Sequence, residues 1–321
     1  MLLKKNLCNI SLVVVLLFVF VVAGIFCFNA KKDLVAFRLG VEKRYIDYDL
    51  DMALNVLKDK FEKKGYKVGE FAYSGNLYPK ELDKAKINVF VRGFQPFYDK
   101  RLADDAVNVL YVHRAENLVK QEMDRFDYYL SSQMSMIDRF KEKNNIDYFG
   151  ADNVKREYLK NGYECDVLYI YEYRTNFYAD FLRSGSKNIL MSGSGFYVLS
   201  DEEKIKTLEG CKVVVYDAGI TGIDDDDYIS YAVYDIMSYG RPVITNYNEK
   251  LEKEFDGILM FKNVEDMVVK TIEALNMSDE KRENKALLFK KILDENEADY
   301  SFIDKYAKKN KNISGYLDNI N

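Results

Sequence analysis

Four kinds of residue are scarce in this 321-residue chain, which has one histidine, three prolines, four cysteines and no tryptophan. Beyond residue 30 the only cysteines are Cys165 and Cys211. Two cysteines so far apart in sequence are too few for a disulfide framework or a cysteine metal cluster, and we expect neither. The net charge of −5 gives no support to a nucleic-acid-binding role.

Linkers rich in proline, glycine or serine are also missing, as are internal repeats, so composition marks no domain boundary. The 48% of hydrophobic and 31% of charged residues describe a folded globular body rather than a disordered one. About 290 residues follow the first 30, which is enough for two domains of ordinary size.

One long apolar run is present, from Ile10 to Phe28, and Lys4 and Lys5 precede it. A helix of this length spans a hydrocarbon core and exceeds the apolar part of most signal peptides. The run therefore predicts a single N-terminal membrane anchor. A signal peptide cleaved near Ala23 is the alternative. Basic residues on both sides of the run leave its orientation open.

Short apolar runs alternate with amphipathic stretches from residue 33 onward, which indicates parallel sheets wrapped by helices. The clearest helix is predicted from Asp49 to Lys64, where apolar residues recur at helical spacing before Gly65. The first group of predicted strands is Leu34–Leu39, Lys67–Phe71, Ile87–Arg92, Val107–Val112 and Phe126–Leu130. The second group is Val167–Tyr171, Asn188–Met191, Val213–Tyr216, Val243–Thr245 and Ile258–Phe261. The helices predicted in this second group are Phe177–Arg183, Glu202–Leu208, Tyr228–Tyr239 and Val264–Leu275.

The two groups of strands predict an α/β protein with two Rossmann-like domains. We place a membrane anchor at residues 1–30, a first domain at 31–160, a second domain at 161–278 and a helical tail at 279–321. The tail is charged and carries a modest apolar stripe, so it is either a brace that returns to the first domain or a solvated helical hairpin.

Two acids precede a glycine-terminated turn in the second domain. Asp227 and Asp235 are eight positions apart, which places both carboxylates within roughly 80° of each other on a helix. We expect that helix to begin near Asp227 with aspartate caps and to end at Gly240, before a strand that starts at Pro242. An ordinary helix–strand unit with a solvated Asp235 is the alternative reading of this segment.

The same segment resembles the nucleotide-sugar-binding segment of GT-B glycosyltransferases. Within that superfamily its pattern is most similar to that of spore-maturation-type glycosyltransferase-like proteins. Their pattern is two glutamates separated by seven residues, then Ala-x-x-x-Gly-x-Pro-Val-Ile. Here the glutamates become Asp227 and Asp235, the alanine becomes Ile236, and Gly240, Pro242, Val243 and Ile244 match directly. The resemblance implies two domains that face a cleft, and transfer of a sugar from a nucleotide-sugar donor.

The resemblance also implies donor contacts. Asp235 would accept hydrogen bonds from ribose hydroxyls, and Asp227 would contact the donor sugar or the surroundings of its phosphates. Arg174 would stabilise the charge of the departing diphosphate. An Asp225–Asp227 metal pair and a surface role for Arg174 are the alternatives. Gly193, Ser194 and Gly195 form a Gly/Ser turn whose amides could approach the phosphates, or a plain β-turn.

The single histidine, His113, lies at the carboxyl end of a predicted strand, and such ends face the ligand crevice in open α/β sheets. Imidazole titrates near neutrality, so His113 is the candidate base for the acceptor hydroxyl and Glu116 is its substitute. A structural histidine is the alternative.

Together these features predict a membrane-anchored hexosyltransferase-type glycosyltransferase that uses no cofactor and no obligatory metal. Its partners would be a nucleotide sugar, a glycan or other hydroxyl-bearing acceptor and, through residues 10–28, a membrane, with no nucleic acid. The body is expected in the cytosol, where nucleotide sugars are made. The alternative function is a catalytically inactive relative that binds a glycan or a partner at the membrane.

Overall fold

Two parallel sheets, each wrapped by helices, make up the computed structural model of this chain. It describes residues 34–40, 46–72, 85–92, 102–103, 105–113, 124–140, 142, 145–152, 156–159, 164–171, 191–194, 199–218, 228–296 and 298–313. The predicted membrane segment at residues 10–28 lies outside these ranges. None of the helices within them combines the length and apolar character needed to cross a bilayer.

The first sheet has six parallel strands in the order β2-β1-β3-β4-β5-β6. Strands β3 and β4 are buried along their whole length, which explains why they read as continuous apolar runs. The strands are β1 (Leu34–Leu39), β2 (Lys67–Ala72), β3 (Ile87–Val91), β4 (Val107–Val112), β5 (Tyr128–Ser131) and β6 (Ile146–Tyr148). Helices α1 (Tyr48–Lys63) and α2 (Met134–Arg139) belong to the same lobe. We call residues 34–152 the first lobe.

Helix α1 matches its predicted bounds to within one residue because its start and its end are both coded locally. The side chain of Asp47 accepts a hydrogen bond from Leu50 N at 2.8 Å and caps the first turn. Its buried face includes Leu54, Leu57 and Phe61, and Gly65 follows the helix with φ of 88°.

The second sheet has five parallel strands in the order β11-β10-β9-β7-β8. Its strands are β7 (Cys165–Tyr171), β8 (Met191–Ser194), β9 (Cys211–Asp217), β10 (Val243–Asn246) and β11 (Leu259–Phe261). Its helices are α3 (Asp201–Glu209), α4 (Tyr231–Ser238), α5 (Glu249–Glu254) and α6 (Val264–Asn276). We call residues 156–276 the second lobe. In both sheets the strand order reverses once, next to the first strand, and ligands bind at such switch points in open α/β sheets.

Two predicted elements begin three residues later than expected. The strand predicted at Asn188–Met191 is β8, which runs from Met191 to Ser194 and pairs with β7. Gly193 and Ser194 therefore lie within a strand rather than a turn, and their binding of a phosphate stays a prediction. The helix predicted at Tyr228–Tyr239 begins at Tyr231, for a reason that involves the first lobe and is given below. The helix predicted at Phe177–Arg183 lies outside the described residues.

Cys165 and Cys211 form a disulfide, with their Cα atoms 4.9 Å apart. They are 46 residues apart in the sequence, but they are direct partners in the register of β7 and β9. Sheet pairing therefore decides this single bond, which the distance between the two cysteines in the sequence does not reveal.

The charged tail forms two helices, α7 (Asp279–Glu295) and α8 (Ser301–Ile313). Helix α8 packs against the first lobe, where Lys305 Nζ lies 3.0 Å from both carboxylate oxygens of Asp147. The ring of Tyr306 packs on Tyr128 with the ring centroids 4.7 Å apart. The C-terminal tail thus packs back onto the first lobe.

Candidate functional site

The first turns of α1 and α4 meet where the two lobes touch. Asp49 of α1 is 0% exposed, and its Oδ1 accepts hydrogen bonds from Ser230 Oγ at 2.7 Å and from Ala232 N at 3.1 Å. A carboxylate from the first lobe therefore caps a helix of the second lobe. This explains the late start of α4, because the expected aspartate cap near residue 227 is replaced by Asp49.

The other oxygen of Asp49 belongs to a cluster around His113, which follows β4 and is buried. Its Nε2 lies 3.2 Å from Asp49 Oδ2 and 2.9 Å from the hydroxyl of Tyr228, and its Nδ1 lies 2.8 Å from the hydroxyl of Tyr111. Tyr228 also donates its hydroxyl to Asp49 Oδ2. The tautomer that satisfies all these contacts has its proton on Nε2 and accepts from Tyr111 at Nδ1.

A chain of hydroxyls extends this cluster across the lobe interface. The hydroxyl of Tyr111 lies 2.8 Å from Ser132 Oγ, and the hydroxyl of Tyr231 donates to the carbonyl oxygens of Phe149 at 2.7 Å and Gly150 at 3.0 Å. Burial raises the pKa of both tyrosines, Tyr111 and Tyr231, above the ordinary value. They therefore remain neutral hydrogen-bonding groups rather than phenolates.

Asp235 lies further along α4 and faces the same turn of α1. Its Oδ2 accepts a hydrogen bond from Tyr48 at 2.7 Å, and its Oδ1 accepts from Arg156 Nη2 at 3.2 Å and Nε at 3.3 Å. Burial raises the pKa of the Asp235 carboxyl, and the charge of Arg156 and the hydrogen bond from Tyr48 offset only part of that rise. The guanidinium of Arg156 also stacks on Tyr239, 5.1 Å from the ring centroid.

Gly240 ends α4 in the way its sequence predicts. It has φ of 72°, its N donates to Met237 O at 2.8 Å, and Arg241 N donates to Ile236 O at 3.4 Å. This pair of bonds is a Schellman motif. A Cβ at Gly240 would lie 2.5 Å from Cδ2 of Tyr158, so the position is closed by packing as well as by its backbone angle.

Comparison of this chain with protein-family models and with curated protein sequences finds no match. Solved structures do match. An alpha-glucosyltransferase in complex with UDP and a 13-mer DNA containing a central A:G mismatch aligns with a TM-score of 0.57 at 13% identity, over 85% of this chain and 98% of that one. AviGT4, a glycosyltransferase involved in Avilamycin A biosynthesis, aligns with a TM-score of 0.52 at 10% identity, over 87% of this chain and 98% of that one. The chain has the GT-B fold. TarM aligns with a TM-score of 0.47 at 11% identity, over 70% of this chain. This chain spans only 54% of the length of TarM.

In the GT-B arrangement the predicted donor helix is α4, and it contacts the opposite lobe through Asp235. Of the other predicted donor residues, Asp227, Arg174 and Gly195 lie outside the described residues, as does the substitute base Glu116. His113 lies at the lobe interface at the end of its strand. Gly240 lies at the end of α4 away from Asp49 and has the packing role described above.

Sequence reasoning missed several residues that the GT-B interface brings together: Tyr48, Asp49, Arg156, Tyr228 and Ser230. A signal for Asp49 was present, because it lies four and eight positions before the buried Ala53 and Leu57. An acid on the apolar stripe of a helix needs buried partners. Arg156 carried no such signal, since it belongs to the segment between the two sheets.

A groove of about 860 Å³ opens beside this interface and is bordered by the chain segment after β6, by α4 and α5, and by the link between α7 and α8. Ile229, between two members of the buried cluster, lines it. Among its described lining residues are five carboxylates and no lysine or arginine: Asp147, Asp152, Glu254, Glu295 and Asp299.

Proposed function

We propose that this chain is a glycosyltransferase that takes a sugar from a nucleotide-sugar donor bound by the second lobe. The observation that carries the proposal is the position of Asp235. It is a buried acid at the interface of two GT-B lobes, on a helix that ends in the Gly240-Arg-Pro turn of the resembling family. Within the superfamily we propose that the chain is related to the spore-maturation-type proteins.

The proposed roles follow from the contacts. Asp235 accepts hydrogen bonds from ribose hydroxyls, and the charge of Arg156 opposes the rise in its pKa that burial causes. Arg174 and Asp227 remain proposed donor contacts, with Glu116 as a substitute base. His113 with Asp49 forms a pair in which a carboxylate orients an imidazole. We propose that hexosyl transfer proceeds without an obligatory metal or other cofactor.

Replacing Asp235 with alanine is expected to weaken binding of uridine diphosphate by about tenfold, because a charge-assisted hydrogen bond contributes about 1.5 kcal/mol or more. Isothermal titration of the full chain with uridine, guanosine, adenosine and thymidine diphosphates identifies the nucleotide and measures the loss. The control is Asp256→Ala, an exposed acid of the same lobe, which should bind as tightly as the wild type. Failure of all four nucleotides to bind the wild type would refute the donor role.

A catalytically inactive relative is the second candidate function, and the state of His113 favours it. The ring is buried, its Nε2 lies 3.2 Å from Asp49 Oδ2 and its Nδ1 lies 2.8 Å from the hydroxyl of Tyr111, so both nitrogens contact side chains of the protein rather than an acceptor hydroxyl. Release of diphosphate from a nucleotide sugar separates the two functions. Release that is lost in Asp235→Ala would support the enzyme, and binding without release would support the inactive relative.

For the acceptor we propose a glycan or another hydroxyl-bearing molecule. The alpha-glucosyltransferase structure contains DNA, which raises a nucleic acid as the competing acceptor. The net charge of −5 disfavours a polyanion, and no lysine or arginine is among the described residues that line the groove. Transfer to DNA in a labelled-donor assay would overturn this part of the proposal.

We retain the membrane anchor at residues 10–28 and a cytosolic body as proposals, and the disulfide provides a test of the second. Disulfides persist in oxidising compartments and are rare in the cytosol. Resistance of Cys165 and Cys211 to alkylation until a reductant is added, in intact-mass measurement of protein taken from its native cell, would confirm the bond and overturn the cytosolic body. Cys165→Ser should expose Cys211 to alkylation without reductant. Full labelling of the wild type before reduction would contradict the bond and support the cytosolic body.

A further inference from the structure

We propose that the first turn of α1 occupies the donor site of α4 and withdraws before a nucleotide binds. The inference rests on the donor role proposed for Asp235, and it concerns how access to that site is controlled. Tyr48 and Asp49 are neighbours in the chain, and each contacts one part of the proposed site.

The carboxylate of Asp49 takes the place that a phosphate group of the nucleotide would occupy. The amino end of a helix attracts negative charge and offers unpaired amides, and this is where a phosphate group would be bound. At α4 that position is taken by the Asp49 carboxylate, which accepts from the amide of Ala232 and the hydroxyls of Ser230 and Tyr228. A buried carboxylate with this many donors leaves no room there for a diphosphate.

The hydroxyl of Tyr48 takes the place that a ribose hydroxyl of the nucleotide would occupy. Asp235 has two carboxylate oxygens, and Tyr48 donates to one of them at 2.7 Å as a ribose hydroxyl would. Arg156 binds the other oxygen. The first turn of α1 therefore provides both kinds of group that a nucleotide diphosphate would bring, a hydroxyl donor and an anion.

The surrounding contacts indicate which partner leaves when the lobes separate. Segment 156–159 is bound to the second lobe, because Leu159 N donates to Tyr239 O at 3.2 Å and Arg241 donates to Leu159 O. Arg156 therefore stays with Asp235. Helix α1 is bound to the first lobe through its apolar face, where Phe61 packs on Phe37 with centroids 6.1 Å apart. Tyr48 and Asp49 are thus the groups that move away from α4.

The test compares binding of two probes, uridine diphosphate and inorganic pyrophosphate, to the full chain and to two variants. Tyr48→Phe keeps the ring and removes the hydroxyl, and Asp49→Asn keeps the shape and removes the charge. Both should bind uridine diphosphate about tenfold more tightly, because each raises the fraction of molecules with an open site. Asp49→Asn should also bind pyrophosphate more tightly.

The control is Asp51→Asn, which removes a contact between the lobes, the 3.3 Å pair of Asp51 with Lys204, and leaves the hydrogen bonds to Asp235 and to the first turn of α4 in place. Its affinity should equal that of the wild type, and an equal gain would mean that loosening the lobes, rather than vacating the site, explains the effect. Unchanged or weaker binding of both probes by Tyr48→Phe and Asp49→Asn overturns the proposal. Tighter pyrophosphate binding by Asp49→Asn, with no nucleotide bound by any variant, would support an anion site that Asp49 occupies. The same result would refute the donor role.

Discussion

Replacing Asp49 with alanine is expected to lower the free energy of unfolding by about 3 kcal/mol, since breaking one side of a buried charged network costs about 3–5 kcal/mol. The carboxylate is 0% exposed and joins α1 to the Ser230 hydroxyl, the Ala232 amide, the Tyr228 hydroxyl and the His113 ring. Alanine removes the acceptor that these donors share, and a buried donor that loses its acceptor is costly. Urea denaturation followed by circular dichroism measures the loss.

The matched control is Asp51→Ala in the same helix. Asp51 is partly exposed and pairs with Lys204 at 3.3 Å, and Lys204 keeps a second carboxylate, Asp201, at 3.9 Å, so we expect a loss of about 1 kcal/mol. A loss at Asp49 no larger than the loss at Asp51 would show that the buried network does not stabilise the lobe interface. Asp49→Asn should lie between the two, because the amide oxygen still accepts from Ala232.

Replacing Gly240 with alanine is expected to cost about 3 kcal/mol of stability for two separate reasons. The backbone at Gly240 has φ of 72°, where a residue with a Cβ is strained by about 1–3 kcal/mol. The new Cβ would also lie 2.5 Å from Cδ2 of Tyr158, so that ring must move. The shift of the urea midpoint reports the sum of both effects.

Gly65→Ala separates these two effects. Gly65 has φ of 88°, but no described atom lies within 4 Å of its Cβ position, so only the backbone strain applies. We expect a loss of about 1 kcal/mol there. In the double variant Gly240→Ala/Tyr158→Ala the clash is absent, and its cost relative to Tyr158→Ala should fall to the Gly65 value. Equal losses at Gly65 and Gly240 would contradict a packing role for Tyr158.

Much of the fold could be read from short stretches of sequence. The strand β4 matches its predicted bounds from Val107 to Val112, and α1 and the end of α4 at Gly240 also lie where periodicity and glycine placed them. These features depend on residues within about one or two turns of each other. The prediction of two Rossmann-like domains with a GT-B arrangement agrees with the solved structures that share the fold.

Less of the candidate site could be read in this way. The sequence placed Asp235 on the right helix, but its partner Tyr48 is 187 residues away, and its other partner Arg156 lies outside any motif. The Gly193–Ser194 pair read as a turn because glycine and serine favour turns, and pairing with β7 made it a strand. Tertiary context overrides local propensity at such positions.

By itself the sequence determined where most of the described strands and helices lie and where α4 ends, because apolar periodicity and the conformational freedom of glycine act locally. The tertiary structure alone decided that Asp49 caps α4, that Tyr48 reaches Asp235 and that Cys165 meets Cys211. Each of these contacts depends on strand register or on how two lobes meet. Register and lobe contact are set by burial over the whole molecule, so no short stretch of sequence encodes them.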